Sequence, residues 1–200
     1  MANATYFASA HEVCQLPPPG ESEVAFAGRS NAGKSSAINR LVSHNRLAFV
    51  SKTPGRTQMI NFFKLPAGGF LVDLPGYGFA KVPHTERARW GGLISDYLSH
   101  RSTLSGLVCI MDIRHPLTAL DRQLLDWFLP WGKPLHILLT KADKLSRQQS
   151  RRQLELVRDG VAGLGDVSVQ LFSSLSGEGM DTARARISGW IKRPDSPEAH

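Results

Sequence analysis

Residues 28–35 combine glycines, a lysine and a hydroxyl at a spacing that can hold a chain of phosphates. They read GRSNAGKS and match the pattern G-x-x-x-x-G-K-[ST] at every fixed position. The glycines let backbone N–H groups converge on phosphate oxygens, and the N-terminus of a following helix adds a favourable field for an anion. We expect Lys34 to reach the β- and γ-phosphates of a nucleotide and the Ser35 hydroxyl to bind Mg²⁺. The predicted contacts of this phosphate loop are Gly28, Arg29, Ser30, Asn31, Ala32, Gly33, Lys34, Ser35 and Ser36.

The motif DLPG at residues 73–76 supplies a carboxylate about 40 residues after the phosphate loop. An Asp at the end of a strand can hold Mg²⁺ beside the phosphates, as the Walker-B Asp does. The backbone N–H of Gly76 can contact the γ-phosphate. We therefore predict Asp73 as a second magnesium ligand and place Leu74, Pro75 and Gly76 against the nucleotide.

The loop at residues 43–58 offers a further magnesium ligand. Thr57 and Thr53 are the alternatives, and spacing alone does not separate them. We prefer Thr57 because it borders the next predicted strand. Loops ordered by the γ-phosphate and Mg²⁺ are the usual switch of such proteins, so Gly55 and Arg56 are also placed near the phosphates. Arg56 stays open between a stabilising charge at the phosphates, an RNA contact and a solvated loop charge. The predicted magnesium ligands are Ser35, Thr57 and Asp73, and the predicted catalytic residues are Lys34, Thr57 and Gly76.

Two short motifs favour guanine as the base. Residues 140–143 read TKAD and follow a predicted strand. The Asp143 carboxylate can accept hydrogen bonds from N1–H and N2–H₂ of guanine, and adenine has no donor at either position. A site built for such bonds rejects the analogue that lacks them by on the order of 10⁴ or more. The stem of Lys141 can cover the base, Thr140 can brace the loop, and backbone N–H groups of residues 173–175 can meet guanine O6. The predicted base contacts are Thr140, Lys141, Ala142, Asp143, Ser173, Ser174 and Leu175.

The elements that position these motifs alternate along the chain. Alternation of strands and helices predicts a parallel sheet covered by helices on both faces, in which ligands bind at the carboxyl ends of the strands. A PAGG turn at residues 66–69 predicts a hairpin and hence one antiparallel strand. We expect a three-layer α/β P-loop fold, the Ras-like G domain, with a mostly parallel six-stranded sheet. Strands are predicted at residues 23–28, 60–65, 70–73, 107–112, 135–140 and 167–172, and helices at 34–42, 85–100, 118–128, 146–161 and 180–191. The predicted domains are an N-terminal extension at 1–22, a GTP-binding domain at 23–192 and a flexible tail at 193–200.

The composition is that of one globular domain, with 42% hydrophobic and 20% charged residues in a chain of 200. No apolar run approaches the roughly 20 residues of a membrane span, and no secretory signal begins the chain. We therefore expect a cytoplasmic protein with no membrane partner. Cys14 and Cys109 lack metal-type spacing and are expected to be reduced thiols. The excess of 24 Lys and Arg over 17 Asp and Glu favours contact with a polyanion.

Taken together, these motifs resemble those of the translation-factor-related (TRAFAC) GTPases. Within them they are most similar to the EngB group, also called YihA or YsxC, bacterial GTPases of ribosome assembly. The group-specific stretches are SKTPGRTQ at residues 51–58 and MDIRHPL at 111–117. The resemblance covers about residues 5–192. It implies GTP binding, Mg²⁺ held by Ser35 and Thr57, maturation of the large ribosomal subunit, and a requirement for normal cell division and septation. The other stretches that carry it are GRSNAGKSS at 28–36, DLPGYG at 73–78 and TKADKL at 140–145.

Hydrolysis by the free protein is predicted to be slow. Many GTPases place a Gln after the D-x-x-G motif to orient the attacking water, and here that position is Tyr77. A ribosomal partner would then have to order Thr57 and supply the missing group. Asn31 holds a position at which some GTPases bind a K⁺ ion that acts like an arginine finger. A K⁺ site and a simple loop hydrogen bond are the two alternatives for this residue.

Three further points follow from the sequence. Asp112 and His115 are expected to form structural pairs near the sheet edge, because no nucleophile accompanies them. The basic residues of the helix at 146–161 are either a solvated face or an rRNA contact. We expect a monomeric, GTP-controlled ribosome-assembly factor. The alternatives are a P-loop ATPase or kinase, and a basic RNA-binding scaffold with a regulatory nucleotide site.

Overall fold

The structure is a computed structural model that describes residues 1–44, 46–48, 59–77 and 84–191, with the side chains of residues 84–91 left out. Within these residues, seven strands form one sheet flanked by five α-helices. The strands are β1 (Thr5–Ala10), β2 (Glu23–Gly28), β3 (Ile60–Lys64), β4 (Phe70–Asp73), β5 (Leu104–Asp112), β6 (Leu135–Thr140) and β7 (Val167–Leu171). The α-helices are α1 (Lys34–Leu41), α2 (His84–His100), α3 (Ala119–Phe128), α4 (Arg147–Gly160) and α5 (Met180–Trp190).

The strand order across the sheet is β1-β3-β4-β2-β5-β6-β7. Strand β3 runs antiparallel to both β1 and β4, and all other neighbouring pairs are parallel. The predicted hairpin is confirmed, because the backbone N–H groups of Gly68 and Leu65 donate to the carbonyls of Leu65 and Gly69 across the turn. The predicted fold class and its one antiparallel strand are therefore confirmed.

The predicted strand count of six is wrong, because β1 adds a seventh strand at the edge of the sheet. Its residues pair with β3 from Thr5 opposite Lys64 to Ala10 opposite Ile60. The first three residues of β1 are exposed and only its last one is buried. An edge strand of this kind has no run of buried apolar residues, which is the pattern that reveals a strand in a sequence.

Buried apolar side chains form one cluster on each face of the sheet. Alternate residues of β2 divide between the two clusters, as successive side chains of a strand point to opposite faces. Ala25 and Ala27 belong to the cluster that contains residues of α2, α3 and α4, whereas Val24 and Phe26 belong to the cluster that contains residues of α1 and α5. The helices thus cover both faces, which gives the three layers that were predicted.

Two helices begin at the residues that the sequence indicated. The Thr118 side chain caps α3 and forms a capping box with Asp121, and Ser146 caps α4 with Gln149 in the same way. Strand β5 begins three residues earlier than predicted, at Leu104, where it pairs with Glu23 of β2. Within the described residues no helix is long and apolar enough to span a bilayer. The predicted tail at 193–200 lies outside the described residues, and the domain division at residue 22 stays a prediction.

Candidate functional site

The phosphate loop connects β2 to α1 at the carboxyl edge of the sheet. Its first residue, Gly28, lies so close to β5 that a Cβ atom there would stand 2.9 Å from Cβ and from the carbonyl oxygen of Ile110. Its last glycine, Gly33, has a φ of +97° and immediately precedes α1, which begins at Lys34. The close approach at Gly28 and the positive φ at Gly33 both favour glycine. The loop therefore brings its backbone to the N-terminus of α1, where an anion is stabilised.

Lys34 and Asp73 form an ion pair at the mouth of this loop. Their side chains are mostly buried, with exposed fractions of 11% and 9%. Asp73 is the last residue of β4, which lies beside β2 in parallel register. A lysine that can bind phosphate and a carboxylate that can bind a cation are thus in direct contact. In a complex with a nucleotide and Mg²⁺, Lys34 would pair with phosphate and Asp73 with the metal ion, instead of with each other. The residues present therefore fit this ligand and metal.

The segment after Asp73 runs alongside the phosphate loop. The Ser30 N–H donates to the Tyr77 carbonyl at 3.0 Å, and the Tyr77 N–H donates to the Gly28 carbonyl at 3.2 Å. Gly76 directly precedes Tyr77, and a Cβ atom there would stand 3.4 Å from the Ser30 nitrogen. Leu74 and Pro75 are buried next to it. The DLPG motif is therefore positioned by backbone pairing with the very residues that would hold the phosphates.

The TKAD motif at the end of β6 contacts the phosphate loop from the other side. The Thr140 hydroxyl lies 2.5 Å from the Ala32 carbonyl oxygen, and the Lys141 ammonium donates to the Asn31 carbonyl at 2.7 Å. Lys141 and Asn31 both have positive φ values, 59° and 63°, so the two loops meet through tight turns. The sequence predicted Thr140 as a brace, and the structure gives it a direct contact with the phosphate loop.

Asp143 lies opposite Ser173, which follows β7. The buried Ser173 hydroxyl donates to the Asp143 carboxylate at 2.6 Å. This hydrogen bond, with Lys144 3.5 Å away, lowers the pKa of Asp143 below its ordinary value. The carboxylate is therefore ionised at neutral pH and can accept two hydrogen bonds from a base. Ala142 is buried between the two loops, and its N–H donates to the Phe172 carbonyl.

Some predicted site residues are exposed or lie outside the described residues. Leu175 is 77% exposed, and Ser36 is exposed on the first turn of α1. Ser174 follows Ser173 and lines a cleft of about 540 Å³ together with Ser36 and Arg40. The predicted switch-loop residues Gly55, Arg56 and Thr57 and the alternative ligand Thr53 lie outside the described residues. The preference for Thr57 over Thr53 therefore stays a prediction.

Two buried carboxylates next to the site were not assigned to it from the sequence. Asp121 of α3 is fully buried and accepts a hydrogen bond from the Tyr77 hydroxyl at 2.9 Å, with Arg29 Nε 3.7 Å away. Burial raises the pKa of Tyr77 well above its ordinary value, so the phenol stays protonated.

The second buried carboxylate is Asp112, which pairs with Lys141 at 2.9 Å. Asp112 ends a strand that the sequence predicted, but its contact with Lys141 depends on β5 and β6 being neighbours in the sheet.

The sheet and the loops at its carboxyl edge together define a P-loop GTPase. A family model described as "50S ribosome-binding GTPase" matches residues 23–141. "Probable GTP-binding protein EngB" from Aromatoleum aromaticum is 60% identical over 193 residues, which cover 96% of this chain and 89% of the relative. The protein of the same description from Thiobacillus denitrificans is 60% identical over 196 residues, which cover 98% and 93%. The chain belongs to the EngB family of GTP-binding proteins.

Solved structures share the fold at lower sequence identity. A crystal structure of a probable GTP-binding protein EngB aligns with a TM-score of 0.68 at 20% identity and covers 84% of this chain and 98% of that one. The structure of Era with MgGDPNP and nucleotides of 16S ribosomal RNA aligns with a TM-score of 0.69 at 20% identity, covering 92% of this chain and 61% of that one. At this level of identity the likeness concerns the fold alone.

Proposed function

We propose that this GTPase uses the site at the carboxyl edge of its sheet as a Mg²⁺-dependent switch in the assembly of the large ribosomal subunit. The observation that carries the proposal is the contact of Thr140 and Lys141 with the carbonyls of Ala32 and Asn31. These contacts join the loop that would select guanine to the loop that would hold the phosphates. Binding of the guanine base would then stabilise the phosphate loop, and binding of the phosphates would stabilise the loop that contacts the base.

Each site residue has a role that follows from its chemistry. Lys34 neutralises the β- and γ-phosphates, and the backbone N–H groups of residues 28–36 orient them. Mg²⁺, when bound, neutralises phosphate charge and fixes the geometry for in-line attack by water. Ser35, Asp73 and Thr57 are its proposed ligands, and Gly76 is the proposed contact of the γ-phosphate. Asp143 selects guanine, with Ser173 holding its carboxylate and the backbone of Ser174 and Leu175 available to the base.

Slow hydrolysis in the absence of a partner is supported by the position of Tyr77. Its hydroxyl bonds to the buried Asp121, and its ring packs against the cluster beneath the sheet. The side chain that replaces the usual Gln is therefore held by Asp121 and the hydrophobic cluster, and it carries no amide that could orient a water. We expect turnover on the order of 10⁻³ s⁻¹ or below, as in other unassisted switches. Fast multiple turnover of the pure protein in sodium buffer would contradict this.

A K⁺ ion at Asn31 remains a proposal for how the rate is raised. Asn31 is exposed at the phosphate loop, and its backbone carbonyl accepts a hydrogen bond from Lys141. The proposed ligand of K⁺ is therefore the side-chain amide of Asn31. Hydrolysis is measured in matched K⁺ and Na⁺ buffers, for the native chain and for Asn31→Ala. Equal rates in the two salts would reject the K⁺ site.

The proposed partner is the large ribosomal subunit or its precursor, reached in the cytoplasm by a monomer. The description of the matching family and the excess of basic residues support this partner. The family resemblance also supports a role in cell division and septation.

The test is co-sedimentation with precursors of the large subunit. We expect the protein to sediment with them in a non-hydrolysable GTP analogue and to remain in the supernatant in GDP. Asp143→Asn supplies a matched control, because its amide should accept xanthine in place of guanine. That variant should sediment with the xanthosine analogue and not with the guanosine analogue. Association that is the same in every nucleotide would reject the switch.

A further inference from the structure

Asp112 ends β5 directly beside the end of β6, where it is the register partner of Thr140. It is only 6% exposed, and Arg114 binds both of its carboxylate oxygens, whereas Lys141 binds one. Oδ1 accepts from the Arg114 backbone N–H at 3.1 Å and from Arg114 Nε at 2.9 Å. Oδ2 accepts from Arg114 Nη2 at 2.6 Å and from the Lys141 ammonium at 2.9 Å. A buried carboxylate thus holds two cations at the edge of the nucleotide site.

The charge on Asp112 is secure across the physiological range. Burial acts to raise its pKa, but the hydrogen bonds from Arg114 and Lys141 outweigh burial and hold the pKa well below its ordinary value. The Lys141 ammonium therefore contacts a carboxylate that stays charged and also the Asn31 carbonyl, 2.7 Å away. The Asp112 carboxylate and the Asn31 carbonyl thus restrict the Lys141 side chain, which otherwise has four rotatable bonds.

We propose that Asp112 is a positioning residue for guanine nucleotide binding, acting through Lys141. By holding the ammonium against the phosphate loop, Asp112 fixes the aliphatic stem of Lys141 beside the base position next to Asp143. A lysine ordered before the ligand arrives spares that ordering cost at binding, and this raises affinity. The inference rests on the proposed function of this site, and it makes Asp112 part of the nucleotide-binding apparatus and not only a structural pair.

The test is a double-mutant cycle on GDP binding, read as the dissociation rate of a fluorescent GDP. Asp112→Asn should speed dissociation about tenfold, because loss of order in a bound complex shows mainly in the off-rate. Lys141→Met should cause a comparable or larger loss. In the Lys141→Met background, Asp112→Asn should change the rate by less than about twofold, since the residue through which it acts is gone. Independent, multiplying losses would overturn the proposal.

Arg114 provides the matched control for a purely structural role. Its side chain is 45% exposed and binds the same carboxylate without contacting Lys141. Arg114→Gln should leave GDP dissociation within about twofold of the native rate. A tenfold effect in this variant would mean that the carboxylate supports the loop at residues 113–117 and not Lys141.

A second measurement distinguishes lost positioning of Lys141 from a general disruption of the base site around Asp143. Inosine nucleotide lacks the 2-amino group that Asp143 would bind, so the ratio of GDP to IDP affinity reports on Asp143. Asp112→Asn should lower the affinities for GDP and IDP equally, so their ratio stays that of the native chain. A ratio that falls towards one would contradict the proposal. If Asp112→Asn does not fold, Asp112→Glu keeps the charge but moves it by one methylene and should show the same pattern with a smaller loss. Failure of the native chain to bind GDP would reject the proposed function itself, whereas native binding with an unaffected Asp112→Asn would reject only this inference.

Discussion

Ser173 sets the direction of the Asp143 carboxylate. Its hydroxyl donates to Asp143 and accepts from the backbone N–H groups of Leu175 and Ser176. Since this oxygen is fully buried, the hydrogen bonds are shielded from water. One side chain thus aligns the base-selecting carboxylate with the loop that follows β7.

Ser173→Ala should therefore weaken GDP binding at least about tenfold, because hydrogen bonds to charged groups contribute about 1.5–3 kcal/mol. Isothermal titration with GDP measures the change. Ser176→Ala is the control, since its hydroxyl accepts from the Glu178 N–H in the same exposed loop and does not bond to Asp143 within the described residues. Equal affinities for the two variants would show that Asp143 needs no alignment by Ser173.

The bond between Tyr77 and Asp121 allows a stability test at the same scale. Tyr77→Phe removes a hydrogen bond to a fully buried carboxylate, which should lower the free energy of unfolding by about 1–3 kcal/mol. Urea unfolding of the nucleotide-free protein measures it. Tyr6→Phe removes a hydroxyl that bonds to Ser9 on a side chain that is 59% exposed, and it should change stability by less than about 0.5 kcal/mol. Similar losses of unfolding free energy in the two variants would contradict the view that the Tyr77–Asp121 bond is stabilised by its burial.

At the scale of elements, β6 and β7 share a buried polar contact on the face covered by α5. His136 Nδ1 lies 2.7 Å from the Ser168 hydroxyl, and Nε2 lies 3.0 Å from Gln170 Oε1. The ring packs edge-on against Trp190. Burial lowers the pKa of His136 from 6.5 to about 4, and the charge of Arg186 acts in the same direction. The folded protein therefore holds this imidazole neutral.

Stability should fall as the pH drops from about 6.5 towards 4, because the unfolded chain then binds a proton that the folded chain does not. The lost free energy approaches about 3 kcal/mol at the acid end. Chemical denaturation at a series of pH values gives the slope, and His136→Gln should flatten it between pH 6.5 and 5. An identical slope in this variant would mean that other groups cause the pH dependence.

A second buried contact ties α2 to the start of β2 and β5. Glu23, 1% exposed, accepts from Arg101, from the Tyr97 hydroxyl at 2.8 Å and from the Thr103 hydroxyl at 2.7 Å. Arg101→Met would leave this carboxylate buried without its cation, at a cost of about 3–5 kcal/mol. Arg151→Met, which removes an exposed pair with Glu155, should cost less than about 1 kcal/mol. Thermal unfolding compares the two, and equal shifts would contradict a special role for the buried pair.

Sequence patterns predicted the elements better than the contacts between them. Buried strands such as β2 and β6 are continuous apolar runs, and capping residues such as Thr118 mark where a helix begins. Strand β1 was not predicted because most of its residues are not buried, and the backbone hydrogen bonds that pair it with β3 leave little trace in side-chain type. The pairing of Asp112 with Lys141 depends on which strands are neighbours, and the chain order of two motifs does not give that. Motif spacing indicated the phosphate and base loops, but it could not choose between Thr57 and Thr53.

At the scale of the whole molecule, the three motifs lie on loops after different strands, so a nucleotide would connect parts that are distant in sequence. Saturating Mg²⁺ and GDP at about 100 times Kd should add about 2.7 kcal/mol to the unfolding free energy. For a chain of this size that corresponds to a rise in Tm of about 5–11 °C. Scanning calorimetry with GDP and with ADP measures it. An equal rise with ADP would contradict selection of guanine.

The pairing of β1 with β3 also has a consequence for how this chain is made. During translation, the first strand emerges roughly 50–60 residues before its partner, a delay on the order of 3–12 s at ordinary elongation rates. For that time the nascent chain carries Tyr6 and Phe7 on a segment whose backbone has no strand to pair with. The edge of the sheet formed by β1 can therefore pair only after β3 has been translated, so the rate of elongation sets the earliest time at which this edge forms.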